Sequence, residues 1–252
     1  MTEAAVNDAA PPLLELRDVT AGYAEDIDVL REIGLRVDAG RITGVIGLNG
    51  AGKSTLVKTI CGFLPPKSGS VRYRGEDISG VDPHALIDLG ICCIPQESSL
   101  FPYLSVQQNL MLPLLGRPRR YDAGMRSRLD EAYALFPALQ DKRSQPAGSL
   151  SGGQQKQLEF AKAWLQQPTL CLIDEPSIGL APKIAEEVYH WIDLFAAQRT
   201  AILLVDHNVR RVVRMSAFIY VLSLGEITAS GPPEAFTGDL HEQVKTWLGI
   251  NF

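Results

Sequence analysis

Apolar residues along the chain follow two patterns that predict two kinds of strand. Apolar and polar residues alternate at 14–19 and again at 71–74, which predicts half-buried strands of an antiparallel sheet. Short runs of apolar and β-branched residues instead predict strands buried on both faces, as in a parallel sheet; they lie at 41–46, 170–173, 201–205 and 217–222. The two patterns together predict an α/β core with a small antiparallel β lobe beside it.

The spacing of apolar residues becomes helical between residues 97 and 165. Helical segments are predicted at 105–115, 123–136 and 154–164, and the last of them places Leu158, Ala161 and Leu165 on one face. We therefore expect a helical lobe at about 97–165, inserted between two parts of the core and β lobe at 13–96 and 166–252. Residues 1–12 lack the pattern of a secretion signal and are expected to form a flexible arm.

Composition and charge narrow the classes of function. A chain of 252 residues can bury a sizeable core as one domain with lobes. The net charge of −5 and pI near 5.4 argue against a broad nucleic-acid-binding face, which would be basic, so no nucleic-acid partner is expected. The four cysteines show no metal-binding spacing; Cys92 and Cys171 lie in apolar strands and are interpreted as small buried hydrophobes, which fits a reducing cytosol. No apolar run approaches the roughly 18–20 residues that span a bilayer.

A complete phosphate-binding motif, G-x-x-x-x-G-K-[ST], runs from Gly47 to Ser54 between a predicted strand and a predicted helix. Its glycines allow backbone N–H groups to point at phosphates, and a helix beginning near residue 52 adds a favourable dipole. Lys53 is expected to reach the β- and γ-phosphates of ATP, and Ser54 to bind Mg²⁺. The predicted nucleotide-binding residues of this phosphate loop are Asn49, Gly50, Ala51, Gly52, Lys53, Ser54 and Thr55. This motif makes the predicted core that of a P-loop NTPase (RecA-like).

Two carboxylates end the apolar run at 170–173. A carboxylate at the end of a parallel strand beside a phosphate loop is well placed to hold Mg²⁺, and we assign this role to Asp174. Glu175 then lies where it can orient, or take a proton from, an attacking water. Alone, the pair could equally be two solvated acids at a strand end; the phosphate loop favours the catalytic interpretation.

The ordered set of motifs resembles the nucleotide-binding subunits of ATP-binding-cassette (ABC) transporters over nearly the whole chain after residue 12. The resemblance implies that Tyr23 stacks on adenine, that Gln96 touches Mg²⁺ and the attacking water, and that His207 contacts the γ-phosphate. It also implies that residues 177–180 cross between two subunits. Each residue alone has an ordinary structural interpretation, as packing, a polar loop residue or a strand-end histidine. The ordered set supports an active ATPase.

The signature of that family is formed here by Ser151, Gly152, Gly153 and Gln154. Ser151 is a good helix N-cap, and two glycines let the backbone approach a ligand, so this is a second helix N-terminus suited to a phosphate. The phosphate loop already serves the chain's own nucleotide. The signature is therefore expected to bind a partner's nucleotide, in a head-to-tail dimer with two ATP molecules in its interface.

Residues 143–155 and 174–182 resemble the ATPases of branched-chain (hydrophobic) amino-acid importers. This resemblance implies a second ABC ATPase subunit in a homo- or heterodimer, two transmembrane permease subunits and a substrate-binding protein. It implies a location on the cytoplasmic face of the inner or plasma membrane. Phe101 and Tyr103, in an apolar segment after Gln96, are the predicted contacts with a permease.

Other stretches keep two alternatives open. Gln96, residues 206–208 and residues 244–252 look more like the lipopolysaccharide-export ATPase, which acts as a homodimer. A soluble ABC ATPase of DNA repair or translation is the alternative of another class. It is disfavoured because the chain has neither a long coiled-coil insertion nor a second cassette, and because it is acidic.

Overall fold

The computed structural model describes residues 11–114 and 124–236. Most of the predicted arm at 1–12 and all of the stretch 244–252 lie outside the described residues. The strands are β1 (Leu14–Ala21), β2 (Leu30–Val37), β3 (Ile42–Ile46), β4 (Ser68–Tyr73), β5 (Glu76–Asp77), β6 (Ile91–Ile94), β7 (Leu170–Asp174), β8 (Ala201–Asp206), β9 (Phe218–Ser223) and β10 (Glu226–Gly231). The helices are α1 (Lys53–Ile60), α2 (Pro83–Asp88), α3 (Val106–Met111), α4 (Gly124–Leu135), α5 (Pro137–Asp141), α6 (Gly152–Gln166), α7 (Pro182–Ala197) and α8 (Val209–Met215).

The centre of the molecule is a six-stranded sheet with the order β10-β9-β3-β8-β7-β6. Its strands pair in parallel except at the β9–β10 edge. Every residue of β3, β7 and β8 is buried, because helices and a second sheet cover the two faces. Successive side chains of β8 enter opposite cores: Ile202 and Leu204 pack into one apolar core, and Leu203 and Val205 pack into the other. The predicted runs are therefore strands of a doubly covered sheet, and the predicted fold class is confirmed.

A second, antiparallel sheet of four strands has the order β2-β1-β4-β5. Its apolar side chains share one of the two cores with α1 and α2, while polar residues of β2 such as Arg31 and Arg36 face solvent. This arrangement confirms the half-buried strands that the alternating pattern predicts.

Helices dominate the described residues between 106 and 166, and α6 packs against α3, α4, α5 and α7. The predicted helix at 105–115 is α-helical only over Val106–Met111 and continues as a 3₁₀ turn over Leu112–Leu114. Pro113 explains the change, because it lacks the N–H that an α-helix interior needs. The lobe boundaries near residues 97 and 165 stay a prediction. Across 11–114 and 124–236, no helix is both long enough and apolar enough to cross a membrane.

Candidate functional site

Four loops meet at one edge of the six-stranded sheet, the edge formed by the carboxyl ends of its parallel strands. The phosphate loop follows β3, His207 follows β8, Glu175 follows β7 and Gln96 lies just after β6. Since β3, β8, β7 and β6 are consecutive neighbours in the sheet, the four loops are neighbours too. Ligands of open α/β sheets bind at this edge. The topology thus brings together residues that lie far apart in the sequence.

The phosphate loop folds tightly onto the start of α1. Gly52 is the N-cap of α1 with a φ of 108°, a conformation that favours glycine. A Cβ at Gly47 would lie 2.4 Å from the carbonyl oxygen of Leu222, so only glycine fits where the loop leaves β3. The N-terminus of α1 carries no side-chain cap, which leaves its backbone N–H groups available to an anion.

Lys53 has all three of its donor positions occupied within the chain. Its Nζ atom donates to the carbonyl oxygens of Gly47 and Leu48, both at 2.9 Å, and pairs with Oε1 of Glu175 at 3.0 Å. The side chains of Lys53 and Glu175 are almost fully buried. This ion pair links the phosphate loop to the end of β7, so the lysine predicted to bind phosphate and the predicted base are in direct contact.

Asp174 is buried, and its Oδ1 atom has no hydrogen-bond partner. Burial raises the pKa of this carboxyl; the Ser54 hydroxyl opposes the rise, and the negative charge of Glu175 adds to it. A buried, unpaired carboxylate oxygen beside a serine hydroxyl is an arrangement that a cation would stabilise. These two residues therefore fit the predicted Mg²⁺ site.

Glu175 adopts a left-handed backbone conformation, with a φ of 41°. Non-glycine residues held in this region are strained, and such strain clusters at functional sites. Its backbone N–H donates to the carbonyl oxygen of Val205 at 2.8 Å, which ties the turn after β7 to β8. Its Oε2 atom lies 3.7 Å from Nδ1 of His207. Glu175 thus stands between Lys53 and His207.

A pocket opens over these groups. Six residues of the phosphate loop line it, together with Gln96, Glu175, Ile178 and Val29; the lining residues are Val29, Asn49, Gly50, Gly52, Lys53, Ser54, Thr55, Gln96, Glu175 and Ile178. Ile178 belongs to the loop at 177–180 that the family resemblance places between two subunits. Val29 was not predicted, since apolar residues are expected mainly in the core. Ala51 is buried beneath the loop and does not line the pocket.

Tyr23 lies beside α1 and is 61% exposed. Its hydroxyl is 3.4 Å from Oγ1 of Thr55, and the Nζ atom of Lys58 lies 5.5 Å from the centre of its ring. An exposed tyrosine next to the first turn of α1 does not serve core packing. Because Lys58 lies over the ring, stacking would use the ring surface that remains exposed.

The signature does not line this pocket. Ser151 caps α6 by accepting a hydrogen bond from the backbone N–H of Gln154, whose Oε1 atom accepts in return from the backbone N–H of Ser151. The predicted N-cap is therefore confirmed, and the carboxamide oxygen of Gln154 is engaged within its own chain. A Cβ at Gly152 would meet nothing within 4 Å, whereas one at Gly153 would lie 3.1 Å from Cγ2 of Ile184.

The family model of the ABC transporter ATPase domain matches residues 30–178, more than half of the chain. The chain belongs to this family. The matched residues include the phosphate loop, Gln96, the signature and Glu175.

Two curated relatives carry names of amino-acid transport. The chain is 34% identical to the high-affinity branched-chain amino acid transport ATP-binding protein BraG of Pseudomonas aeruginosa over 210 residues, 83% of this chain and 89% of the relative. It is also 34% identical over 220 residues to the LivF protein of Archaeoglobus fulgidus, named a probable branched-chain amino acid transport ATP-binding protein (87% and 92% covered). The lipopolysaccharide export ATP-binding protein LptB of Escherichia coli K12 is 33% identical over 226 residues, 89% and 92% of the two chains.

Solved structures agree with the family. An ATP-binding subunit of an ABC transporter superimposes with a TM-score of 0.80 at 26% identity and covers 93% of this chain and 99% of its own. The ATP-binding cassette MJ1267 gives a TM-score of 0.82 at 26% identity, with 96% and 100% covered. The chain is thus an ATP-hydrolysing subunit of an ABC transporter.

Proposed function

We propose that this ATPase energises the import of branched-chain or other hydrophobic amino acids, or of related small amides. The observation that carries the proposal is its similarity, at 34% identity over more than four fifths of the chain, to two ATPases named for branched-chain amino-acid transport. The ATPase does not itself hold the cargo. Its partners would be a second ABC ATPase, identical or not, two permease subunits and a substrate-binding protein, with the ATPase on the cytoplasmic face of the membrane.

ATP would bind with its phosphates on the phosphate loop and its adenine against Tyr23. The uncapped N-terminus of α1 and the buried Lys53 supply positive potential where the phosphates lie. Ser54, Asp174 and Gln96 would hold Mg²⁺, which neutralises charge on the β- and γ-phosphates when bound. The unpaired Oδ1 atom of Asp174 supports this assignment.

Glu175 would orient the attacking water and accept its proton. A base of this kind contributes about 10²–10⁴-fold to a rate. His207, next to Glu175, would contact the γ-phosphate and report its presence. Positioning and charge neutralisation account for most of the catalysis of phosphoryl transfer.

The signature would act on the nucleotide of a partner subunit. Ser151 and Gly152 are exposed, do not line the chain's own pocket, and leave open space where a Cβ would extend from Gly152. Two chains arranged head to tail would bring each signature to the other's phosphate loop. Closure of this dimer on ATP and its opening after hydrolysis would move the permease subunits.

Phe101 and Tyr103 would contact a permease. They are 57% and 95% exposed, unusual values for aromatic side chains. The loop that carries them is nevertheless well ordered by the buried Asn109, whose amide donates to the carbonyl oxygens of Phe101, Leu104 and Ser105. A rigid loop that presents apolar rings to the outside suits a docking surface.

Lipopolysaccharide export is the second candidate. LptB is 33% identical over 89% of this chain, close to the value for the amino-acid transport ATPases. The motif formed by Asp206, His207 and Asn208 favours this candidate too, as does Gln96. The two candidates differ in their membrane partners, so the partners decide between them.

The decisive experiment is a pull-down of the tagged Glu175→Gln variant from membranes of the source organism in the presence of ATP, followed by mass spectrometry. The variant is expected to hold ATP and stay dimeric. Recovery of multi-span permeases, a second and different ABC ATPase and a substrate-binding protein would support amino-acid import. Recovery of self-copies with export-type membrane subunits would support lipopolysaccharide export.

A Lys53→Ala variant, which lacks the predicted phosphate contact, is the matched control. Proteins captured by both variants report binding that does not depend on nucleotide. Ribosomal proteins or DNA-repair factors in the Glu175→Gln sample alone would contradict a role in transport and favour the soluble class of ABC ATPases.

A further inference from the structure

A buried chain of hydrogen bonds connects the loop after Glu175 to the loop that carries His207. The hydroxyl of Tyr189, on α7, lies 2.9 Å from Oγ of Ser177 and donates to Oδ2 of Asp206 at 2.8 Å. Tyr189 is 3% exposed, and Asp206 at the end of β8 is fully buried. One tyrosine hydroxyl therefore bridges two loops that both border the site.

The direction of these hydrogen bonds is fixed by chemistry. An ionised carboxylate only accepts hydrogen bonds, and a tyrosine hydroxyl can donate one, so Tyr189 donates its hydrogen bond to Asp206. The hydrogen bond between Ser177 and Tyr189 must then be donated by Ser177. The hydrogen bonds are thus donated in one direction, from Ser177 to Tyr189 and from Tyr189 to Asp206.

Asp206 also contacts the turn that carries His207. Its Oδ1 atom accepts from the backbone N–H of Asn208 at 2.9 Å and lies 3.4 Å from Nδ1 of His207. Both carboxylate oxygens are thus engaged, one with Tyr189 and the other with the turn that holds the histidine. A shift of the carboxylate would move the backbone and the ring of His207 together.

Arg211 fixes the ring of Tyr189 from a third element. Its guanidinium carbon lies 4.7 Å from the ring centre, and Nη2 of the same guanidinium pairs with Glu186 of α7. Cation–π contact and burial leave the ring little freedom. A tyrosine hydroxyl is protonated at physiological pH, and burial raises the pKa of Tyr189 further. The bridge is therefore stiff.

We propose that Tyr189 and Asp206 are positioning residues for His207 and that they transmit the position of Ser177 to it. Residues 177–180 follow Glu175 after one proline; Ile178 and Gly179 are exposed, and Ile178 lines the pocket. A nucleotide or a second subunit that displaces this loop would move Ser177, and the histidine would respond. The inference rests on the proposed role of His207 in ATP hydrolysis.

The test is steady-state ATPase kinetics of the full chain and its Tyr189→Phe variant. Loss of a hydrogen bond to a charged group is expected to lower kcat about tenfold. KM should change by less than about twofold, because Tyr189 does not line the nucleotide pocket. Unchanged kcat in Tyr189→Phe would overturn the proposal.

Tyr220→Phe is the matched control. Tyr220 is also buried, and its hydroxyl accepts from the backbone N–H of Arg36 at 3.0 Å, away from the pocket. Each variant loses one buried hydroxyl. Tyr189→Phe should lose more Tm, because it also removes a donor from the buried carboxylate of Asp206, and only Tyr189→Phe should lose kcat. An equal loss of kcat in both would mean that general destabilisation explains the effect and would overturn the proposal.

A double-mutant cycle tests the connection itself. Ser177→Ala should lower kcat about threefold in the wild-type background and have no further effect in Tyr189→Phe, since the bridge is already broken. Independent, multiplying effects would overturn the connection. Should Tyr189→Phe fold poorly, an unchanged kcat in Ser177→Ala, at a half-buried loop position, would overturn it too.

Wild-type hydrolysis and its loss in Glu175→Gln are measured first in the same assay. Failure there would contradict the proposed ATPase site. The Tyr189 variants are compared only with a wild-type protein shown to be active. The proposed ATPase site and the proposed role of Tyr189 can therefore be refuted independently.

Discussion

The buried charge of Asp174 leads to a prediction about stability. The residue is 4% exposed and its Oδ1 atom lacks a partner, and burial is the main cause of its raised pKa. A carboxyl with a raised pKa destabilises the folded state when it is ionised. An unsatisfied buried polar group costs about 1–3 kcal/mol, and a charged group costs more than a neutral one. Asp174→Asn removes the charge at nearly constant shape, so we expect the nucleotide-free variant to be more stable by about 1–2 kcal/mol.

Thermal unfolding measures this gain. For a chain of this length it corresponds to an increase in Tm of about 2–8 °C. The folded pKa lies above the unfolded value of about 3.9, so the penalty in the wild type is absent below that pH. It develops as the pH rises through the folded pKa. The difference in Tm should therefore be largest at neutral pH and shrink on acidification.

The assay is differential scanning calorimetry of both proteins without nucleotide between about pH 3.5 and pH 8, a range that starts below the unfolded carboxyl pKa of about 3.9 and ends above neutrality. Asp193→Asn, at an exposed position of α7, is the control for removal of one negative charge and should leave Tm nearly unchanged. Equal Tm values for Asp174→Asn and the wild type at neutral pH would refute the reasoning, as would an advantage that grows on acidification.

The same variant separates stability from function. A ligand at about 100 times its Kd stabilises a protein by about 2.7 kcal/mol. Mg²⁺ with ADP should raise the Tm of the wild type accordingly, whereas Asp174→Asn should gain less and lose its dependence on Mg²⁺. A full, Mg²⁺-dependent gain in the variant would contradict the assignment of Asp174 to the metal.

Three further predictions test other parts of the site. Gly152→Ala should keep or raise Tm, because a Cβ meets nothing within 4 Å, yet lower ATPase activity by roughly 100-fold through a misplaced partner nucleotide. Full activity of Gly152→Ala would contradict the role of the signature. Gly153→Ala, in contrast, should lower Tm by pressing on Ile184. Tyr23→Ala should raise the calorimetric Kd for ATP by about 5- to 100-fold through lost stacking, while Tyr23→Phe should keep the wild-type Kd. Equal Kd values for Tyr23→Ala and the wild type would exclude stacking. Glu175→Gln should bind ATP but lower kcat by about 10²–10⁴-fold, so rapid turnover would exclude Glu175 as the base.

Much of the site could be predicted because its residues follow strands that the sequence marks clearly. The apolar runs before the phosphate loop, Asp174 and His207 are continuous and short, as buried parallel strands are. Their polar ends must then lie at one edge of the sheet. The cap at Ser151 was predictable for a local reason, since a serine followed by two glycines and a helical pattern is a helix start.

Side-chain pairing across the sheet could not be predicted from the sequence. Nothing in the sequence shows that Lys53 contacts Glu175, because this contact depends on the order of β3, β8 and β7 and on rotamers. Tyr189 was missed for a similar reason. It lies on the amphipathic helix α7, where a tyrosine fits ordinary packing, and only the fold brings its hydroxyl to Asp206.

The contact between Lys53 and Glu175 also implies an order of events, if the two residues have the proposed catalytic roles. While the two are paired, the lysine holds the carboxylate that would accept a proton from water. Breaking a buried pair by removing one partner costs about 3–5 kcal/mol, so Glu175 is not released on its own. A bound phosphate can replace the carboxylate as the partner of Lys53 and offset that cost. The proposed base would then become free only when the phosphates are already in place.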